Sequence, residues 1–282
     1  MDPPRRSEAE TGAMRQAGAE HSMARLRAAR AVLLDMDGTL YVDDELVPGA
    51  AALVAHVRDR GLPIVFLTNN SSARGEDYLR RLARLGVAAS RAEIQTSGDA
   101  TIGHLLGRTP HRRPYVVGTA ALLEDFRAAG LDPDATEPDC LVVGFDTTLT
   151  YAKLERATAL LFAGLPYFAT HPDKTCITRR GLIPDIAAII GALAAVTGRH
   201  PEIIGKPDPR MALGALARLE VPPDAAVLVG DQLDTDMTLA QAAGLLDVLV
   251  LSGETTPEKL AAWPRRPTLV AQNAAEILGW FG

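Results

Sequence analysis

Cysteine is nearly missing from this chain. Its 282 residues include two, Cys140 and Cys176, with no CxxC pair and no Cys/His grouping at zinc spacing. That excludes a disulfide scaffold and fits a reducing, cytoplasmic compartment. An excess of positive charge is also lacking. The 29 Lys and Arg against 35 Asp and Glu leave a net charge of −6, which argues against non-specific binding to nucleic acid or an anionic membrane. A small anionic substrate stays open, because a bound cation and a few local donors can invert the field inside a site. Long apolar runs are absent too. The longest, residues 186–196, is too short to cross a bilayer. The first thirty or so residues contain no apolar core of the kind a secretory signal needs.

What is present is 47% hydrophobic residues, enough for one large domain or a core with a second domain. Residues 1–29 are rich in Arg, Ala and Glu with little apolar bulk, and are expected to form a flexible arm, with Met14 and Met23 as alternative starts. From Arg30 onward short apolar runs alternate with amphipathic segments. Strands are expected at 31–35, 63–67, 226–229, 247–251 and 268–270, and helices at 50–60, 76–85, 235–243 and 273–278. Runs of this kind are parallel strands buried on both faces, so the fold class is α/β, a doubly wound parallel sheet of Rossmann-like plan. The middle of the chain has its own alternation, with strands at 115–117, 140–143 and 166–169 and helices at 120–129, 152–162 and 186–196. The expected organisation is a core of 30–98 and 203–282 split by an inserted α/β domain at 99–202.

Four apolar runs end in polar clusters: "LLDMDGT", "VFLTNNSS", "IIGKPDP" and "VLVGDQLDTD". Such sheets carry their sites beyond the carboxyl ends of the strands. Asp35 and Asp37 point to the same side of an extended strand and raise each other's pKa unless a cation lies between them. Asp-Gly between apolar residues is equally a hairpin signal. An EF-hand is excluded, because Leu46 stands where the bidentate Glu would be. Thr68 to Ser72 suit a phosphate loop at a helix start or an ordinary N-cap. Lys206 lies in a proline-fixed loop that is not a Walker A, since His200 replaces the first glycine and Pro207 follows the lysine. Asp231 follows a strand, whereas Asp234 and Asp236 sit where carboxylates also cap helices. Together the clusters supply what phosphoryl transfer through an aspartyl-phosphate needs: an attacking carboxylate, a second for protons, a lysine with donors for the phosphoryl oxygens, and acids for Mg²⁺. There is no GxSxG for a serine hydrolase.

"DMDGT", "TNN", "GKPDP" and "GDQLDTD" resemble the four motifs of the haloacid dehalogenase-like (HAD) superfamily. The large insertion, with "TNNSS" and "VLSGE", resembles its class IIA branch, the NagD and 4-nitrophenylphosphatase type. The resemblance implies a Mg²⁺-dependent phosphatase acting on a small phosphorylated metabolite such as a nucleotide, sugar phosphate, phosphoglycolate or 4-nitrophenyl phosphate. It implies Asp35 as nucleophile and metal ligand, and Asp37 as general acid and base whose carbonyl also ligates metal. Thr68, Asn69 and Asn70 would hold the phosphoryl group, and Lys206 would clamp Asp35 and the phosphate. Asp231 would complete the Mg²⁺ site, with Asp236 behind Lys206. The inserted domain becomes a cap, and pairing of two copies through it is implied by analogy. Within the cap stretch "ATHPDKTCITRRGLIPD", His171 is a candidate substrate contact, as are Asp173, Thr178, Arg179 and Arg180. Pro184-Asp185 departs from the Pro-Gly of many relatives. The sequence leaves open a phosphotransferase or phosphomutase, and a non-catalytic member that binds a phosphorylated ligand.

Overall fold

A computed structural model describes residues 8–178 and 181–281, with side chains from residue 18 onward except at 177 and 178. Six parallel strands form the larger sheet, in the order Leu269–Ala271, Leu246–Val250, Ala226–Gly230, Ala31–Asp35, Ile64–Thr68, Ile94–Thr96. The central strand AVLLD is buried along its whole length. Its alternate side chains feed opposite faces, as a pleated strand requires. Val32 and Leu34 join Leu53, Val54 and Phe66 on one side, and Ala31 and Leu33 join Met211, Leu216 and Leu228 on the other. From Ala31–Asp35 the chain first builds the sheet toward Ile94–Thr96, then returns to its other side at Ala226–Gly230. The strand order therefore reverses beside Asp35, and open α/β sheets bind ligands at that reversal.

Between the two halves lies a second parallel sheet, ordered Glu202–Ile203, Tyr167–Ala169, Cys140–Val143, Pro114–Val117, with apolar clusters of its own. The fold is thus a doubly wound α/β core with an inserted α/β cap. The antiparallel hairpin Thr175–Thr178 with Gly181–Pro184 extends from the cap segment. Among the described residues no helix is long and apolar enough to cross a membrane.

Within the expected N-terminal arm, Glu8–Arg27 is a helix. Ala, Arg and Glu are strong helix formers, and a shortage of apolar bulk does not forbid a helix with a docked end. Leu26 is 1% exposed in the core, Arg25 donates to the Asp224 carbonyl and Arg27 to that of Trp280.

Candidate active site

Asp35 and Thr68 end adjacent strands and Asp231 directly follows a third, so the pleat delivers all three to one edge. Lys206 Nζ donates to Asp35 Oδ1 at 2.5 Å and to Asp236 Oδ1 at 2.7 Å. Thr39 Oγ1 donates to the other Asp35 oxygen at 3.2 Å. Asp35, Lys206, Asp231 and Asp236 are all buried, none more than 5% exposed. The lysine's backbone is fixed as well. Its N–H donates to Asn69 Oδ1 and its carbonyl accepts from Asn69 Nδ2, both at 2.9 Å. The Asn69 side chain therefore ties the second strand's end to the "GKPDP" loop. Gly205 sits where a Cβ would strike the Thr170 carbonyl, so only glycine lets the chain pass there.

One oxygen of Asp231 accepts the Glu254 N–H at 2.6 Å, and the other, Oδ1, is buried with no partner. Carboxylate oxygens of Asp35, Asp231 and Asp236 lie within 4.8 Å of one another. An orphaned buried oxygen beside two more carboxylates is a donor set for a hard divalent cation. The walls around Asp231 are backbone. Gly38, at φ 84°, and Gly253 both leave no space for a Cβ beside its carboxylate.

Three buried acids share one ammonium. Burial pushes the carboxyls of Asp35 and Asp231 up, with mutual repulsion adding to the rise for Asp231. Asp236 is pushed up to about 7 by burial first and Asp35 second, against the pull of Lys206. Burial works against the ammonium of Lys206, but the same two carboxylates outweigh it and raise Lys206, so the lysine stays charged; Asp231 Oδ1 has no such donor. A native acid with a raised pKa holds a proton that its unfolded counterpart has lost. The cation-free protein is therefore expected to lose stability as pH rises from about 4 to about 7, by up to roughly 1.4 kcal/mol per pH unit for each such proton. A divalent cation replaces that proton, so the gap between melting curves with chelator and with Mg²⁺ should widen with pH. Thermal unfolding across this range measures it, and a gap that narrows with pH would refute the assignment.

Asp37 differs from these. Its side chain keeps 56% of its surface open, onto a cavity of about 430 Å³, and its Oδ1 lies 3.7 Å from the Arg81 guanidinium. The enclosing protein still raises its carboxyl, with Arg81 opposing. Arg81 is held over the Tyr41 ring, 4.1 Å from its centre, and donates to the Asp43 carbonyl.

Thr68, Asn69 and Asn70 all line the cavity beside Lys206. Thr68 Oγ1 also accepts the Asn70 N–H at 3.1 Å, and the Asn70 side-chain oxygen accepts from Ser72. Asp236 stands behind Lys206, while Asp234 is exposed and away from the cavity. His171 is fully buried and is not among the residues lining the cavity; Thr170 and Asp185 hold its ring. Asp173 and Asp185 do line it. Arg179 and Arg180 lie outside the described residues, as does the side chain of Thr178. Sequence reasoning missed Thr39, Arg81 and the cavity role of Glu254. Thr39 was available in "DMDGT" as a hydroxyl one turn beyond Asp35. Arg81 looks like any basic residue of an amphipathic helix.

The sequence matches the family described as haloacid dehalogenase-like hydrolase over residues 32–132, and a second described as HAD-hydrolase-like over 203–277. The ribonucleotide monophosphatase NagD of Escherichia coli is 34% identical over 246 residues, covering 87% of this chain and 97% of that one. The structure of a 4-nitrophenylphosphatase from Thermotoga maritima superposes with a TM-score of 0.88 at 39% identity, covering 92% of this chain and 99% of the other. A glycerol phosphate phosphatase from Mycobacterium tuberculosis, solved in complex with magnesium, superposes with a TM-score of 0.83 at 33% identity, over 89% of this chain and 78% of that one. The same phosphatase has also been solved with calcium. With four motif clusters gathered at one sheet edge and relatives named as phosphatases matched over 78–99% of their length, this chain belongs to the haloacid dehalogenase-like hydrolases, in the class IIA branch of phosphomonoesterases.

Proposed function

We propose that this protein hydrolyses small phosphate monoesters through a phosphoryl group carried on Asp35, with Mg²⁺ as its cation. The observation that carries the reading is the division of labour between the two acids of "DMDGT". Asp35 is buried and held at both oxygens, by Lys206 and by Thr39, while Asp37 opens onto the cavity where a leaving group would lie. Asp35 forms a bond to phosphorus as the ester P–O bond breaks, and Asp37 gives its proton to the departing alcohol oxygen. Water then attacks phosphorus, its proton passes to Asp37, and the bond to Asp35 breaks. Lys206, Thr68 and Asn69 stabilise the charge on the phosphoryl oxygens. Asp35, Asp231 and the Asp37 carbonyl would hold the cation, which supplies charge neutralisation between nucleophile and phosphate.

Relatives named for ribonucleotides, dihydroxyacetone phosphate, glycerol 3-phosphate and acid sugar phosphates support a small phosphorylated metabolite as substrate. Neither Cys140 nor Cys176 is in a disulfide, which suits a reducing cytoplasmic setting. The test is phosphate release from a panel of nucleotides, polyol and sugar phosphates, phosphoglycolate and 4-nitrophenyl phosphate. Mg²⁺-dependent release from at least one is expected. No release from any of them, with the protein folded and loaded with Mg²⁺, would overturn the reading.

A further inference from the structure

We propose that the buried His171–Asp185 pair is a positioning device that seats the cap hairpin so that Asp173 holds Asn69 at the phosphate end of the cavity. The proposal rests on the phosphatase reading above, yet neither residue has a part in that chemistry.

The pair sits where three passages of chain meet. His171 follows the strand Tyr167–Ala169, close to Ser97, where the chain leaves the core, and its neighbour Thr170 accepts the Gly205 N–H, where the chain returns. Its Nδ1 lies 2.9 Å from Thr170 Oγ1, which is itself 3.0 Å from Ser71 Oγ. Its Nε2 lies 3.1 Å from Asp185 Oδ1. An ionised carboxylate only accepts, so Nε2 is the donor whichever way the hydroxyls run. The same Asp185 oxygen caps the helix Ile186–Thr197 by accepting the Ile186 N–H at 2.5 Å. Capping by itself needs no histidine, and Ser or Asn would serve. Burying an imidazole against a carboxylate costs desolvation, which points to a geometric purpose.

That purpose is visible in the rungs beside it. Asp185 N–H donates to the Lys174 carbonyl and Ala187 N–H to that of Asp173, both at 3.0 Å. With the histidine contact, three rungs bind the two legs from which the hairpin stands. They fix Asp173, whose two carboxylate oxygens receive Asn69 Nδ2 at 3.1 and 3.2 Å. Asn69 in turn clasps the Lys206 backbone on both sides. The seat of the hairpin and the placement of the phosphate donors are thus one connected structure.

The test uses Asp185→Ser, which keeps a capping hydroxyl but cannot reach His171. KM for 4-nitrophenyl phosphate and the inhibition constant of orthophosphate should rise together by roughly tenfold, the size of a lost buried hydrogen bond, with kcat changed less. His171→Gln, which keeps a side-chain N–H donor, should stay within about twofold of wild type on the same scale. Asp185→Ser combined with Asp173→Ala should be no worse than Asp173→Ala alone, because both act on one path. A purely structural role would lower the melting temperature and leave both constants alone. Unchanged constants, or additive effects in the double variant, overturn the proposal. Should Asp185→Ser not fold, His171→Phe enters the same cycle with the same criteria. Wild-type turnover decides the phosphatase reading separately, so the two failures are distinguishable.

Discussion

Asp35→Asn is expected to lower Mg²⁺-dependent phosphate release by more than roughly 10⁴-fold, the scale seen when a nucleophile is removed from an active site that acts as a unit. The carboxamide has the same shape, and its oxygen can still accept from Lys206 or from Thr39, so the site should keep its form. What changes is charge. Three acids facing one ammonium become two, and the repulsion that raises Asp231 and Asp236 is relieved. In chelator the variant should therefore melt at or above the wild-type temperature while being inactive. Steady-state release and thermal unfolding on one preparation give both readouts. A folded variant that retains a tenth of the activity would remove Asp35 from the role of nucleophile, and one that has unfolded would overturn the charge-relief argument.

Lys206→Met should fail in the opposite sense, losing activity and stability together. Methionine fills the volume but leaves Asp35 and Asp236 buried without their shared donor. Removing one member of a buried ionic cluster costs roughly 3–5 kcal/mol. The carboxylates would respond by taking up protons. Their folded pKa values rise further above the unfolded ones, so the loss should be largest in alkaline buffer and shrink as pH falls toward the ordinary aspartate range. Activity should fall by roughly 10³-fold, as it does when a group stabilising transition-state charge is removed. Adding Asp236→Asn should recover part of the stability and none of the turnover. Urea unfolding at several pH values, alongside kcat, tests this. A pH-independent loss would mean that Lys206 matters for packing alone.

Much of this was legible in the sequence because parallel strands buried on both faces write themselves as apolar runs, and polar residues directly after such runs stand out. Ala31–Asp35 and Cys140–Val143 are readable to the residue for that reason. Short edge elements were not. Ile94–Thr96 spans three residues and Glu202–Ile203 only two, too brief for any period to show. The helix Glu8–Arg27 was not legible, because its composition lacks the apolar stripe by which a packed helix shows itself. Asp35, Asp231 and Lys206, singled out because few residue types suit such chemistry, come together at one sheet edge. The surroundings of His171 were not legible, because a histidine in a polar loop looks the same whether it faces a ligand or a neighbouring carboxylate. Only the third dimension brings Asp185 to it, and only there does Arg81 come near Asp37.

The Asn69 clasp and the Lys206–Asp35 contact have a temporal meaning. Asp35 and Lys206 are 171 residues apart in sequence, and the cap is made between them. The central strand of the core, among the first to leave the ribosome, acquires its neighbour Ala226–Gly230 only when the chain is four-fifths made. Until then Asp35 has neither its lysine nor the acid at 231. Contacts of such separation carry the loop-closure cost that slows folding. Catalytic competence here is therefore a late property of the nascent chain, and one that no product ending before Asp231 can share.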